Sequence, residues 1–88
     1  MNNETATKVK ESVQAWVTAN DGPELTWFDH THLDLREGCI STFIEGWYPD
    51  GNYGMLAVSE AISNGDIALP ANVYHENYSH VELYFYED

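Results

Sequence analysis

Two histidines and an aspartate alternate in the run Asp29-His30-Thr31-His32-Leu33-Asp34. Alternate side chains of a strand share a face, so His30, His32 and Asp34 would point the same way. Two imidazoles and a carboxylate on one face suit a divalent metal, and His75 or His80 could complete the set. The competing reading makes them polar strand positions that partly offset nearby acids. Other chemistry has less to stand on. Cys39 is the single cysteine, which excludes an internal disulfide and a multi-cysteine zinc site. A buried thiol in a reducing cytoplasm is the expectation. Ser12, Ser41, Ser59, Ser63 and Ser79 sit in no nucleophile motif. The six glycines form neither GxGxxG nor a P-loop, and Asp50-Gly51-Asn52 lacks the pattern of a calcium loop. Carboxylates are so abundant that a pair of them carries no specificity. No enzyme and no cofactor is expected.

The string from His30 to Asp34 resembles the HxHxD core of metallo-hydrolases of the metallo-β-lactamase fold. Leu35 stands where a histidine usually follows, and 88 residues are too few for that fold. The homology is rejected, and a small metal-binding domain on His30, His32 and Asp34 stays as an alternative.

Three basic residues face fifteen acidic ones, a formal net charge of -12. Binding nucleic acid through a basic patch is excluded, because that binding neutralises phosphates with Lys and Arg. Docking on an anionic membrane surface is disfavoured for the same reason. High charge with few apolar residues would mean disorder, but apolar residues are 43% of this chain and aromatics 14%, enough for a core. One domain over 1–88 is expected. Neither a signal peptide nor an apolar run of membrane-spanning length is read in it. The charge is also unevenly placed. Residues 1–36 carry Lys8, Lys10 and Arg36 against six acids; residues 37–88 carry nine acids and no Lys or Arg. Salt bridges inside that second stretch are impossible.

The elements that would position these groups form an α+β domain, an antiparallel sheet of about four strands with two helices packed on it. Val9, Val13, Trp16 and Val17 follow helical spacing, with Asn3 or Thr5 to cap the start and Asn20-Asp21-Gly22-Pro23 to end it. Residues 24–36 read as extended. So do residues 39–48, with Ile40, Thr42 and Ile44 on one side and Cys39, Phe43 and Trp47 on the other; apolar character on both faces predicts a central strand. Pro49-Asp50-Gly51-Asn52 is a turn. Residues 54–63 are read as a helix closed by Asn64-Gly65, with a hairpin strand over 53–58 as the alternative. Val73-Tyr74 and the run Val81 to Tyr86 read as strands. Val81, Leu83 and Phe85 face the core, and Glu82, Tyr84, Tyr86 and Asp88 face outward.

Spaced carboxylates interleaved with aromatics then become the main functional feature. Same-face positions on a strand repeat about every 6.6–6.8 Å, comparable to phosphates along an extended nucleic-acid strand. The residues expected to touch a partner are Glu45, Trp47, Tyr48, Asp50, Glu60, Asp66, Glu76, Glu82, Tyr84, Tyr86, Glu87 and Asp88. Tyr and Trp are the anchors that dominate interface energy, and the charge would steer the protein to a basic groove. A net of -12 also exceeds the magnitude of about 2–8 that solubility asks of a small domain.

In size, charge, aromatic content and single cysteine, the whole chain resembles the small acidic inhibitors of phages and mobile elements that mimic nucleic acid, of the anti-CRISPR and anti-restriction type. The resemblance implies a non-enzymatic monomer or homodimer in the host cytoplasm. Its partner would be a CRISPR effector, restriction enzyme or repair enzyme, engaged with no direct nucleic-acid contact and no membrane. The alternative from the same electrostatics is an immunity or antitoxin protein that neutralises a basic nuclease.

Overall fold

A computed structural model describes residues 1–30 and 38–88. The first helix, α1, spans Asn3–Ala19. Its buried stripe is Val9, Val13 and Val17, with Trp16 half-buried beside it. The cap is Asn2, whose Oδ1 accepts the Thr5 amide at 2.8 Å, one residue before the first of the expected caps. Asn20 closes it: its side chain donates to the Trp16 carbonyl at 2.8 Å. Gln14 ties the helix to the following segment, accepting the Leu25 amide at 2.7 Å and donating to the Pro23 carbonyl at 3.0 Å.

Strands β1 (Thr26–His30), β2 (Cys39–Phe43), β3 (Val73–Tyr78) and β4 (Glu82–Glu87) form one antiparallel sheet in the order β1-β2-β4-β3. The second helix, α2, is Gly54–Ser63, which decides between helix and hairpin for that segment. The sheet is therefore the expected α+β arrangement, and β2 is central as its two apolar faces require.

Register assigns the faces. Ile40 lies opposite Phe85, and Thr42 opposite Leu83 and Trp27. These side chains pack with the valines of α1 and with Met55, Val58 and Ala61 of α2 into one core. Both helices thus cover one face of the sheet. Thr42 is fully buried there because its hydroxyl donates to the Thr26 carbonyl at 2.8 Å, which removes the cost of an unpaired polar group.

Three elements differ from expectation. β2 stops at Phe43, where residues 39–48 read as one extended run. Ile44 still packs in the core and its amide donates to Val81 O at 2.9 Å. Gly46 then takes a positive φ of 83°, which turns the chain so that Trp47 leaves the sheet altogether. β3 continues to Tyr78, four residues past the expected Val73-Tyr74, because pairing with β4 supplies its hydrogen bonds along the whole length. Its covered face carries His75 and Asn77, polar residues that hide the strand pattern from a hydropathy reading. Asp88 lies beyond the last strand residue, with its amide on the Asn72 carbonyl at 2.9 Å. Of the extended segment 24–36, residues 26–30 form β1, Glu24 and Leu25 precede the strand, and 31–36 lie outside the described residues.

His75 joins β3 to α2: its Nε2 and the Ser59 hydroxyl are 2.9 Å apart, and its ring tilts against Phe85 at 6.4 Å. Burial lowers its pKa from the ordinary 6.5. The unfolded chain therefore binds the proton more readily, so stability gained from this site is present above pH 6.5 and is lost as pH falls through the lowered folded value. Denaturation series in acidic buffers are expected to show this loss, and His75→Gln is expected to flatten it. An unchanged pH slope in the variant would refute the assignment.

Among the described residues no helix is long and apolar enough to cross a membrane.

Candidate partner-binding surface

One face of the sheet carries both helices, and among the described residues the opposite face carries none. The register lays its side chains out in rows. Thr26, Phe43, Glu82 and Tyr78 form one row across the four strands, and Phe28, Ser41, Tyr84 and Glu76 form the next. His30 beside Cys39, and Tyr86 beside Tyr74, form the third. Phe28, Phe43, Tyr74 and Tyr78 are each roughly half exposed. A soluble domain seldom leaves so many large rings together on one flat face without a use for them.

The rings and carboxylates are locked to one another. Glu76 accepts from the Tyr78 hydroxyl at 2.6 Å and from the Tyr86 hydroxyl at 3.0 Å. Glu82 accepts from the Tyr84 hydroxyl at 3.1 Å. Tyr78 meets Tyr84 edge-on at 4.9 Å, and Tyr74 stacks on Tyr86 at 5.9 Å. The hydrogen bond to Glu76, aided by burial, raises the Tyr78 pKa above its usual 10.0. Burial first, then the bond to Glu82, does the same for Tyr84. Both phenols remain protonated donors at neutral pH, so each holds its carboxylate in a fixed position.

The four strands hold no Lys or Arg, and neither does α2. Among the described residues, Lys8 and Lys10 are the cationic side chains apart from histidine, and both sit on α1, against the other face. The ion pair between Lys8 and Glu4, 3.4 Å apart, is also there and is highly exposed on both sides, so it contributes little. The strands of the open face thus carry carboxylates and no Lys or Arg of their own. Self-repulsion of this kind is screened by salt, so the melting temperature is expected to rise between low and moderate ionic strength. A flat or falling thermal-denaturation series would rule out such repulsion.

The residues expected to touch a partner divide among several places. Glu76, Glu82, Tyr84 and Tyr86 share the open face. Glu87 lies opposite Val73 on the covered side, exposed at the strand end. Asp50, Glu60 and Asp66 line a separate recess with Trp16 and Asn20. Glu45 and Tyr48 line a third, with Tyr53 and His80, where Tyr53 stacks on His80 at 5.3 Å. Trp47 borders that recess but is chiefly a packing residue: it sits edge-on to Trp16 at 6.2 Å, and its indole N–H donates to Asn20 O at 3.3 Å. Phe28, Phe43, Tyr74 and Tyr78 were outside the expected set. For Tyr74, Glu76 and Tyr78 the signal was their period-two spacing, which the polar His75 and Asn77 between them obscured.

His30 also lies on the open face, stacked on Tyr84 at 5.3 Å with Nε2 2.6 Å from the Ser41 hydroxyl. Ser41 is buried beneath these rings, so the pair satisfies polar atoms and presents no exposed nucleophile. His75 belongs to the covered face and His80 to the β3–β4 turn, so the sheet keeps His75 away from His30. His32 and Asp34 lie outside the described residues. Among the described residues no group of three or more metal-ligating side chains comes together.

Comparison with protein-family models, with curated proteins and with solved structures finds no match.

Proposed function

We propose that this protein is a non-enzymatic inhibitor that occupies the nucleic-acid groove of a basic protein in place of nucleic acid. The targets in view are CRISPR effectors, restriction enzymes and repair enzymes. The observation that carries the reading is the open sheet face, where Glu76 and Glu82 are fixed by tyrosine hydroxyls among half-exposed rings and no Lys or Arg stands on any strand. Fixed anions on a rigid sheet resemble a phosphate array more closely than a flexible acidic tail does, and preorganisation lowers the entropic cost of binding. Charge steers the encounter with a basic groove, and the rings supply apolar anchors at its centre.

The test is displacement. Fluorescently labelled DNA or RNA is bound to purified effectors, restriction enzymes and repair enzymes, and the protein is titrated in. Release of nucleic acid from a member of the panel, with an apparent affinity that falls steeply as salt is raised, is the expected result. Binding to a target that leaves its nucleic acid in place, or that ignores salt, would overturn the reading. Neutralising a nuclease by blocking its catalytic residues while its nucleic acid stays bound would favour the immunity-protein alternative.

A further inference from the structure

Three exposed rings stand where local backbone preference asks for other residues. Tyr53 is the N-cap of α2 and makes no side-chain capping hydrogen bond, at a position that Ser, Thr, Asp and Asn favour. Tyr48 likewise precedes the short helical turn Pro49–Gly51 without capping it. His80 takes a φ of 66° in the β3–β4 turn, a conformation that glycine adopts without strain. All three line one recess of about 450 Å³ together with Glu45 and Trp47. Tyr53 stacks on His80 at 5.3 Å and tilts against Tyr48 at 5.7 Å, yet Tyr48 and Tyr53 remain 58% and 48% exposed. Local rules broken together, with rings left open around one hollow, mark a place kept for binding more than for stability.

We infer that this recess binds a methylated ammonium group, the cation resting on the tyrosine faces with the Glu45 carboxylate as its counter-charge. Aromatic faces attract cations, and quaternary ammonium groups are the ones that aromatic recesses take up. Glu45 is exposed, no ion pair engages it among the described residues, and the lining of the recess holds no Lys or Arg. A net charge of -12 draws cations toward the surface. A lysine ammonium or an arginine guanidinium brings several N–H donors that need acceptors, and Glu45 is the one carboxylate in the lining; a fully methylated nitrogen brings none. The start of α2 borders the recess through Gly54, and a helix N-terminus favours an anion over a short range. Glu45 in the same lining opposes that, since an anion there would meet a like charge. The inference stands apart from the inhibitor reading, which is carried by the open sheet face.

The experiment titrates three probes into the intact protein and follows backbone and ring resonances by NMR. The probes are choline, its uncharged isostere in which a tert-butyl group replaces the trimethylammonium, and inorganic phosphate. Choline is expected to shift the resonances of Tyr48, Tyr53 and His80 and to bind about tenfold more tightly than the isostere. Tyr53→Ser supplies a favoured cap and His80→Gly relieves the turn. Each variant is therefore expected to melt at the same temperature or higher while its choline affinity falls about fivefold or more. That combination separates ligand placement from folding. A peptide carrying trimethylated lysine distinguishes the sources of the cation: tighter binding than choline puts it on a partner protein, weaker binding makes it a free small molecule, and either result supports the site. Equal affinity for choline and its isostere, phosphate occupying the recess in place of choline, or unchanged choline binding in both variants would each overturn the inference.

Discussion

Replacing Glu76 and Glu82 together by lysine is expected to weaken binding to the inhibited partner a hundredfold or more. Each substitution places a positive charge where the partner presents one, and like charges juxtaposed in an interface cost several kcal/mol. A hundredfold is about 2.7 kcal/mol, well inside that range. The matched control is Glu4→Lys with Glu11→Lys on α1, which changes the net charge by the same amount but lies against the opposite face. It should slow association modestly through the long-range field and change affinity only a few-fold. Glu76→Gln with Glu82→Gln separates charge from geometry, since an amide oxygen still accepts from the tyrosine hydroxyls. Affinity measured by surface plasmon resonance or calorimetry, with circular dichroism to confirm folding, gives the answer. Equal losses in the two lysine pairs would mean that overall charge, and not this face, makes the contact.

Trp47→Ala is expected to destabilise the domain by about 3 kcal/mol or more, in the range for large-to-small aromatic substitutions. The indole fills a slot made by two glycines. A Cβ at Gly54 would strike the Trp47 ring, and one at Gly22 would come within 2.9 Å of it as well as meeting Val17. The ring also closes on Trp16 and on the Asn20 carbonyl, so one side chain fastens the loop after β2 to the end of α1 and the start of α2. For a domain of this size each kcal/mol moves the melting temperature by about 4–8 °C, so the shift should be plain in a thermal scan. The reciprocal test is Gly54→Ala. In an open helix that change stabilises by up to about 1 kcal/mol; here the collision should reverse the sign and cost about 1–3 kcal/mol. A neutral or stabilised Gly54→Ala would show that the ring is free to move aside.

Several features were legible from local pattern. The spacing of Val9, Val13 and Val17 marked the face that α1 buries, because a helix brings those positions to one side whatever it packs against. The alternation from Glu82 to Tyr86 assigned Leu83 and Phe85 inward and Glu82, Tyr84 and Tyr86 outward, as observed. Apolar residues on both sides of β2 marked it as central. The β3–β4 turn was harder to see. It places Ser79 and His80 at positive φ, a conformation usually signalled by Gly or Asn, so nothing local announced a hairpin there. Trp47 looked like a surface anchor because aromatics near acids commonly are. Its burial depends on Gly22 and Gly54, each distant from it along the chain or across a turn.

The chain by itself determined the fold class, the inward and outward sets of α1 and β4, and the concentration of negative charge in residues 37–88, which hold no Lys or Arg. These follow from nearest-neighbour periodicity and from counting. Only the tertiary structure decided that the helices share one side of the sheet. That choice separates Glu76 and Glu82 from Asp50, Glu60 and Asp66, and it brings Phe28, Phe43, Tyr74 and Tyr78 in beside Tyr84 and Tyr86. The physical reason is that a strand's pattern says which side chains are buried, whereas neighbours across a sheet are set by strand order and register. Those arise from pairing between segments far apart in the chain.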